Sequence, residues 1–573
     1  MSRETILNAI SSKQEISVLI VGGGVNGIGT FRDLALQGVD VVLVEKGDFC
    51  SGASAASSHM VHGGLRYLEN AEFRLVKEAL TERNRLLQNA PHQVKPLPTT
   101  IPIFARFSGF LNAPLKFFGL RNKPSERGSF IIKAGLTMYD WFTRGQQTLP
   151  AHIFTSRAES LKKRPNLNPE IVCTATYYDA WMPTPERICM EMILDAEAAN
   201  PQAHALNYVR AEHASGDMVM LRDEISGESF AVKPKIVINA AGPWIDFAND
   251  VLGRRTQFIG GTKGSHLIVD HQELHEVTGG HELFFENKDG RICLFFPLHD
   301  KVIVGTTDIR IDDPEKAYCT DDEIDYLLES IRLVFPALKV DRSHIVFTFT
   351  GVRPLPSSKA ATTGQVSRDH SIEVIEAGKG INFPIFSLVG GKWTTFRAFS
   401  EQTADKILSR LNLPRKIGTE KMAIGGGKNY PKADPERQKW LADLKSKSGL
   451  TQDRLDTLFE RYGTRAEEIA LFIAAGEDDE IDEPLTTLVD YSQREIIFIA
   501  TAEKVIHLDD LLLRRSLIAM LGRVTSKSLA EVAGIVGEAC GWSSAQTQVE
   551  IERTSEILRV RHGVELKLTE STQ

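Results

Sequence analysis

Cysteine is scarce: Cys50, Cys173, Cys189, Cys293, Cys319 and Cys540 are scattered along 573 residues with no C-x-x-C pair. That spacing excludes a disulfide scaffold and a cysteine zinc site, so no metal is expected, and it points to a reducing cytoplasmic setting. Long apolar runs are also missing. No stretch approaches 18 uninterrupted apolar residues, which excludes a spanning helix, and the opening MSRETILNAISSKQE lacks the apolar core of a secretory signal. Basic charge is not in excess, since 75 acidic residues stand against 67 Lys and Arg for a formal net charge of -8. Nucleic acid is therefore not an expected partner. The length exceeds one ordinary core, so two or three domains are expected.

What is present begins with ISVLIVGGGVNGIGTFRDLALQGVDVVLVE, from Ile16 to Glu45. Val18 to Val21 reads as a buried strand running into Gly22, Gly24 and Gly27, the spacing G-x-G-x-x-G before a helix. Gly22 permits the sharp turn, Gly24 lets backbone approach a pyrophosphate, and Gly27 lets the helix pack close to the sheet. A second strand, Val41 to Val44, ends at Glu45, 18 residues past Gly27, where an acid can accept both ribose hydroxyls. This unit predicts a dinucleotide site and leaves NAD and FAD both open.

The next stretch, GDFCSGASAASSHMVHGGLRYLENAEF, starts with small residues that leave room for a ligand. Ser57-Ser58-His59-Met60-Val61-His62-Gly63-Gly64-Leu65-Arg66-Tyr67 is a poor core segment and reads as a ligand-contacting loop. An amphipathic helix follows over 69–87. SSHMVHGGLRYLENAEFRLVKEAL resembles the corresponding segment of the FAD-dependent, quinone-linked glycerol-3-phosphate dehydrogenases. Two departures stand out: His59 occupies the place of a family lysine, and Phe31 that of a small residue which eases the first helix onto the sheet.

Further along, 95–144 mixes aromatic residues with cations, among them Phe107, Phe110, Lys116, Arg121 and Lys133. This reads either as a partly buried connector or as a segment lying on an anionic membrane. Arg187 follows a proline-rich loop and receives no role. Ile236 to Trp244 (IVINAAGPW) reads as a strand ending at Ala241-Gly242, where backbone can approach a cofactor. An antiparallel meander is expected from 265–269, 282–286, 291–296 and 301–305, with Asp289-Gly290 as a hairpin turn. Three islands beside it, Lys263-Gly264-Ser265-His266, Gly305-Thr306-Thr307-Asp308 and Gly351-Val352-Arg353-Pro354-Leu355, look functional. Gly390-Gly391-Lys392-Trp393-Thr394 reads as a glycine helix start with free N–H groups. Residues 425–438 read as linker and 439–573 as a helical, interaction-type domain.

The islands match the family in order from about 16 to 521. The resemblance implies an α/β plus α architecture: a two-dinucleotide, Rossmann-like FAD-binding fold, an antiparallel-sheet substrate domain and a C-terminal helical domain. FAD-binding segments are expected at about 16–75, 200–250 and 350–410 within an oxidoreductase region of 16–424, with substrate or cap segments at about 90–200 and 255–350. It implies FAD held by Gly22, Gly24, Gly27, Glu45, Ser57, Ser58, Ala241, Gly242, Gly390, Gly391, Lys392 and Thr394. The implied reaction oxidises sn-glycerol 3-phosphate to dihydroxyacetone phosphate and passes electrons to membrane quinone, on the inner face of the membrane; a homodimer is compatible with it. Arg66 and Arg353 are the expected phosphate grips, with Tyr67 beside them, because guanidinium binds phosphate in a fork. His266 is the first candidate for the base and His62 the second, while Lys392 adds charge at the glycine turn. Competing readings are an NAD-linked dehydrogenase, a flavin enzyme for another polyol phosphate, and a silent flavoprotein scaffold.

Overall fold

The computed structural model describes residues 3–64, 72–104, 129–143, 149–357, 369–476 and 482–566. The elements that position the site are β1 (Glu15–Val21), α1 (Val25–Leu36), β2 (Val41–Val44), β3 (Ser229–Asn239), β4 (Thr262–Val269), β5 (Lys301–Gly305), β6 (Ile345–Arg353), β7 (Ile385–Val389) and α2 (Phe396–Leu411).

β1 lies at the centre of the first sheet, parallel to β2 on one side and to β3 on the other, with β7 parallel to β3 beyond it. These strands are apolar on both faces because both faces are covered, as parallel sheets require. Val18, Ile20, Val41 and Leu43 pack beneath α1, α2 and the helix Pro185–Ala199. Leu19, Val42 and Val44 pack on the opposite face with Ile6, Ile10, Val219 and Leu221. Phe31 is wholly buried between the helices. It does not hold α1 off, because the close approach is made elsewhere: a Cβ on Gly27 would lie 2.0 Å from the Gly22 carbonyl oxygen, and one on Gly29 2.4 Å from Ser400 Oγ.

The second sheet has ten strands and is built around β4, which pairs antiparallel with β5 and with β6. It is not purely the expected meander. The strand Glu282–Glu286 joins it to Lys95–Ile103 in parallel, and this second strand pairs along its length with Cys173–Trp181. Residues 95–103 are thereby a sheet strand, while 105–128, the heart of the basic aromatic stretch, lie outside the described residues. One face of the sheet packs on the helix Asp321–Val334 and the other on helices of the C-terminal part, where Ile268, Phe296, Ile303 and Phe347 meet Ile496, Leu508, Leu511 and Val532. Among the described residues no helix is long and apolar enough to cross a membrane.

The reading of 425–438 as linker fails at its start. Gly425, Gly426 and Gly427 form a buried 3-10 turn. Three elements converge there, since Cβ atoms would lie 2.1 Å from Glu191 Oε2, 1.8 Å from the Tyr462 carbonyl oxygen and 2.4 Å from the Asn89 carbonyl oxygen respectively. Glycine is needed for packing, not for chain flexibility, and a helix begins soon after at Asp434.

Arg187, to which the sequence assigned no role, is only 4% exposed. It pairs with buried Glu503, donates to the Arg515 carbonyl at 2.8 Å and lies 4.9 Å from the Tyr462 ring centre. Arg187→Ala leaves a buried carboxylate without its principal partner, a change that costs about 3–5 kcal/mol. Calorimetric melting is expected to show a markedly lower Tm, and an unchanged Tm would mean that Glu503 is satisfied without Arg187.

Candidate active site

The C-terminal ends of β1, β2, β3 and β7 open onto a cavity of about 1160 Å³ whose far wall is the second sheet. That exceeds the roughly 300–1,000 Å³ of ordinary small-molecule pockets, leaving room for a dinucleotide and a small substrate together. Gly22, Gly24, Glu45, Ser57, Ser58, Ala241, Gly242, Gly390, Gly391, Lys392 and Thr394, all expected around a cofactor, line this one space.

The glycine turn is shaped by the protein at two positions and left open at the third. Gly22 has φ +115°, a conformation reserved for glycine, and a Cβ there would meet the Ala240 carbonyl carbon at 2.6 Å. Gly27 seats α1 on the Gly22 carbonyl. Gly24 meets only the Ser54 hydroxyl, at 3.2 Å, so its missing side chain serves the cavity and not the packing. Ser54, which sequence reasoning missed, accepts a hydrogen bond from Val25 N at 2.9 Å and, through its carbonyl, one from Trp393 Nε1 at 2.8 Å. Its only signal was membership of the small-residue run. Glu45 accepts from Gly23 N at 2.7 Å and from Gly47 N at 2.9 Å, and burial pushes its carboxyl above the usual range despite those bonds. An oriented acid at the end of the strand next to the glycine cradle fits the ribose and pyrophosphate of a dinucleotide.

On the far wall, strand alternation sorts the first island into two pairs. Lys263 and Ser265 point to the Asp321–Val334 helix, where Lys263 Nζ donates to Glu323 Oε2 at 2.7 Å and Ser265 Oγ to Glu323 Oε1 at 2.9 Å. Gly264 and His266 line the cavity. The second island divides likewise. Thr307 Oγ1 donates to Glu323 Oε1 at 2.6 Å, whereas Thr306 Oγ1 and Asp308 Oδ1 accept from Arg353 at 3.2 and 3.0 Å. Glu323, carrying no motif of its own, is the buried acid that organises both. Gly305 makes room for His266, since its Cβ would lie 2.2 Å from the ring's Cδ2, and Gly351 lets the 56–58 loop lie on β6, with Ala56 O 2.4 Å from the corresponding point.

His266 is 2% exposed, stacks in parallel on Phe349 at 4.7 Å and shares a 2.8 Å hydrogen bond between its Nε2 and Ser58 Oγ. Burial first, then the Arg353 charge, hold it well below the usual histidine range, so it is neutral at pH 7. His62 also lines the cavity, and its carbonyl accepts from Thr394 Oγ1 at 3.2 Å. Asn26 Nδ2 donates to the Gly390 carbonyl at 3.2 Å, so α1, the His62 loop and the 390–394 turn are tied together. The glycines follow β7 and lead into a helix start as expected: a 3-10 turn spans Trp393–Thr395 and runs directly into α2 at Phe396. Gly390 and Gly391 have φ +80° and +97°. Arg66 and Tyr67 lie outside the described residues.

His59 does not line the cavity. It is fully buried, and burial brings it down to about 4, so at neutral pH it carries none of the charge a lysine would. Asp179 was missed altogether. It accepts from Gly63 N at 2.9 Å, Tyr139 Oη at 2.6 Å and Arg83 Nη1 at 3.0 Å, and so anchors the double glycine after His62 from beneath.

With this geometry in hand, likeness to known proteins is informative. The model of the FAD dependent oxidoreductase family matches residues 17–382, and that of the C-terminal domain of alpha-glycerophosphate oxidase matches 417–547. A glycerol-3-phosphate dehydrogenase of Synechocystis sp. is 33% identical over 563 residues, covering 94% of this chain and 96% of its own. One from Pseudomonas tolaasii is 32% identical over 511 residues, covering 87% and 91%. Among solved structures, the glycerol-3-phosphate dehydrogenase from Bacillus halodurans complexed with FAD superposes with a TM-score of 0.74 at 22% identity, covering 97% of each chain, a likeness of fold. FAD is the cofactor, and the glycine cradle, Glu45 and the Ala241–Gly242 strand end fit it. The chain belongs to the FAD-dependent oxidoreductase family and, within it, to the glycerol-3-phosphate dehydrogenases.

Proposed function

We propose that this protein oxidises sn-glycerol 3-phosphate to dihydroxyacetone phosphate and delivers the electrons to a quinone, as a peripheral protein on the inner face of the membrane. The observation that carries the reading is a single cavity wall on which a buried neutral histidine, His266, and a guanidinium, Arg353, share the space reached by the glycine cradle. In this reading the glycine cradle and Glu45 would hold FAD, which would supply a two-electron acceptor for the hydride that leaves C2. Arg353 grips the phosphate, oriented by Asp308 and Thr306, and Arg66 and Tyr67 extend that grip. Holding the phosphate fixes C2, and fixing the reacting carbon is worth more than any single contact. His266 takes the C2 hydroxyl proton, with Ser58 orienting its ring, and His62 is the alternative base. Lys392 adds positive charge at the glycine turn.

A second acceptor has one observation in its favour. The match over 417–547 is to the C-terminal domain of an oxidase, which would use oxygen in place of quinone. Both readings meet one experiment: anaerobic addition of glycerol 3-phosphate to the purified protein, followed by a soluble quinone or by oxygen. Bleaching of the yellow flavin by glycerol 3-phosphate and rapid recovery with quinone are expected. Bleaching only by another polyol phosphate would overturn the substrate, and faster recovery with oxygen than with quinone would overturn the acceptor.

A further inference from the structure

The loop that carries Glu45 is held from a distant part of the chain. Asp48, three residues on, is fully buried, where an unpaired carboxylate would be strongly unfavourable. Its Oδ2 accepts from Arg514 Nε at 2.5 Å and Arg515 Nη1 at 2.7 Å, and its Oδ1 from Arg515 Nη2 at 2.8 Å and Asn207 Nδ2 at 2.9 Å. Arg515 thus grips it with both arms of its fork, the strongest form of such a contact. These arginines sit in the turn Leu511–Arg515 of the C-terminal part, more than 460 residues later in the chain.

Both guanidiniums are fixed by further bonds. Arg515 Nε donates to the Glu503 carbonyl at 2.9 Å, and Arg514 Nη2 donates to Asp509 at 2.9 Å and to Asp510 at 2.6 Å. Asp510 also accepts from Tyr208 Oη at 2.6 Å, and Tyr208 N donates to the Gly47 carbonyl at 2.9 Å. Val209 N donates to the Glu45 carbonyl at 2.8 Å. On the other side of Asp48, Ser51 N donates to the Asp48 carbonyl at 3.2 Å and Cys50 N to the Gly23 carbonyl at 2.9 Å. Asp48 therefore lies between the acid at the ribose position and the residues that touch the glycine turn, and Glu45, Lys46, Cys50, Ser51 and Ser54 all line the cavity.

We propose that Arg514 and Arg515 are positioning residues for FAD: from the C-terminal part they clamp Asp48 and so hold the Glu45–Ser54 loop in its nucleotide-binding shape. FAD binding and the docking of residues 503–515 are then linked, and each must strengthen the other. The inference is independent of which polyol phosphate is oxidised.

The test is the FAD dissociation constant of the deflavinated full-length protein, read by quenching of flavin fluorescence. Arg515→Lys keeps the charge but loses the fork, and Asp48→Asn keeps the shape but loses the charge; each is expected to weaken FAD by about tenfold or more. Arg454→Lys is the control, because Arg454 bonds Asp482 and Glu495 at 2.7 Å each in a comparable network that does not touch the loop. It is expected to lower Tm while leaving FAD affinity within about twofold. Unchanged affinity in Arg515→Lys and Asp48→Asn, or equal weakening in Arg454→Lys, overturns the proposal. Should the variants not fold, hydrogen exchange on the unaltered protein decides: FAD must slow exchange over 503–515, and indifference of that segment overturns the clamp.

Discussion

Gly22→Ala is expected to yield a protein that purifies without its yellow colour. Gly22 holds φ +115°, where a side chain costs about 1–3 kcal/mol in backbone strain alone. The added methyl also lands 2.6 Å from both the carbon and the oxygen of the Ala240 carbonyl and 2.8 Å from Ala241 N. Those atoms are backbone immediately after β3, hydrogen-bonded through Ala240 N to the Val21 carbonyl at 2.8 Å, so they cannot swing aside as a flexible side chain would. Relief requires β1 and β3 to part at the point where the cradle is built, and a combined penalty near 3 kcal/mol corresponds to about a hundredfold in FAD affinity. Flavin content per polypeptide, read from the visible and ultraviolet absorbance, checks this. A fully loaded Gly22→Ala protein would show that the turn tolerates rearrangement and that the cradle is not set by this contact.

His266→Gln is expected to keep FAD and to lose about 10²–10⁴-fold in kcat, the usual worth of a general base. Glutamine preserves a polar group near Ser58 but cannot accept the proton. The pH dependence follows from the sign of the shift. Because the folded-state value lies well below 6.5, His266 is already neutral at pH 7, and kcat/KM should stay level as pH falls through 6.5, declining only when the lowered value is reached. Stability moves in the same direction. The unfolded chain takes up a proton at each of these histidines below about 6.5, while His59 in the folded protein takes none until about 4. Stability is therefore present above 6.5 and is lost progressively as pH falls between those two values. A stopped-flow pH series of flavin reduction checks the kinetic half. Retained kcat in His266→Gln would transfer the role to His62, and a rate falling through 6.5 in the parent would mean that a histidine of ordinary acidity is used.

How much could be read without coordinates depended on how local the cause was. β2, Glu282–Glu286 and β5 run between the residues expected from their apolar runs, because a buried strand announces itself within five residues. The glycine pair after β7 was legible as the approach to a helix start, while the 3-10 form of that helix's first turn was not, since two glycines signal unusual φ without saying which helical turn follows. Lys263-Gly264-Ser265-His266 looked like one functional unit. The alternation of β4 divides it, half to Glu323 and half to the cavity, and that division depends on which face of the sheet carries the helix. Gly425 to Gly427 looked like linker because flexibility and tight packing ask for the same residue.

By itself the sequence determined the first strand, its glycine turn, the helix after it and the acid at the end of the next strand, since these rest on spacing within one local unit. Only the tertiary structure decided that His266 is neutral, that Arg353 is oriented by Asp308, that Arg187 is interior and that Arg514 and Arg515 reach Asp48. Each of these depends on contacts between residues tens to hundreds of positions apart, and the strength of a charge depends on its burial and its partners, which no local pattern of residue types contains.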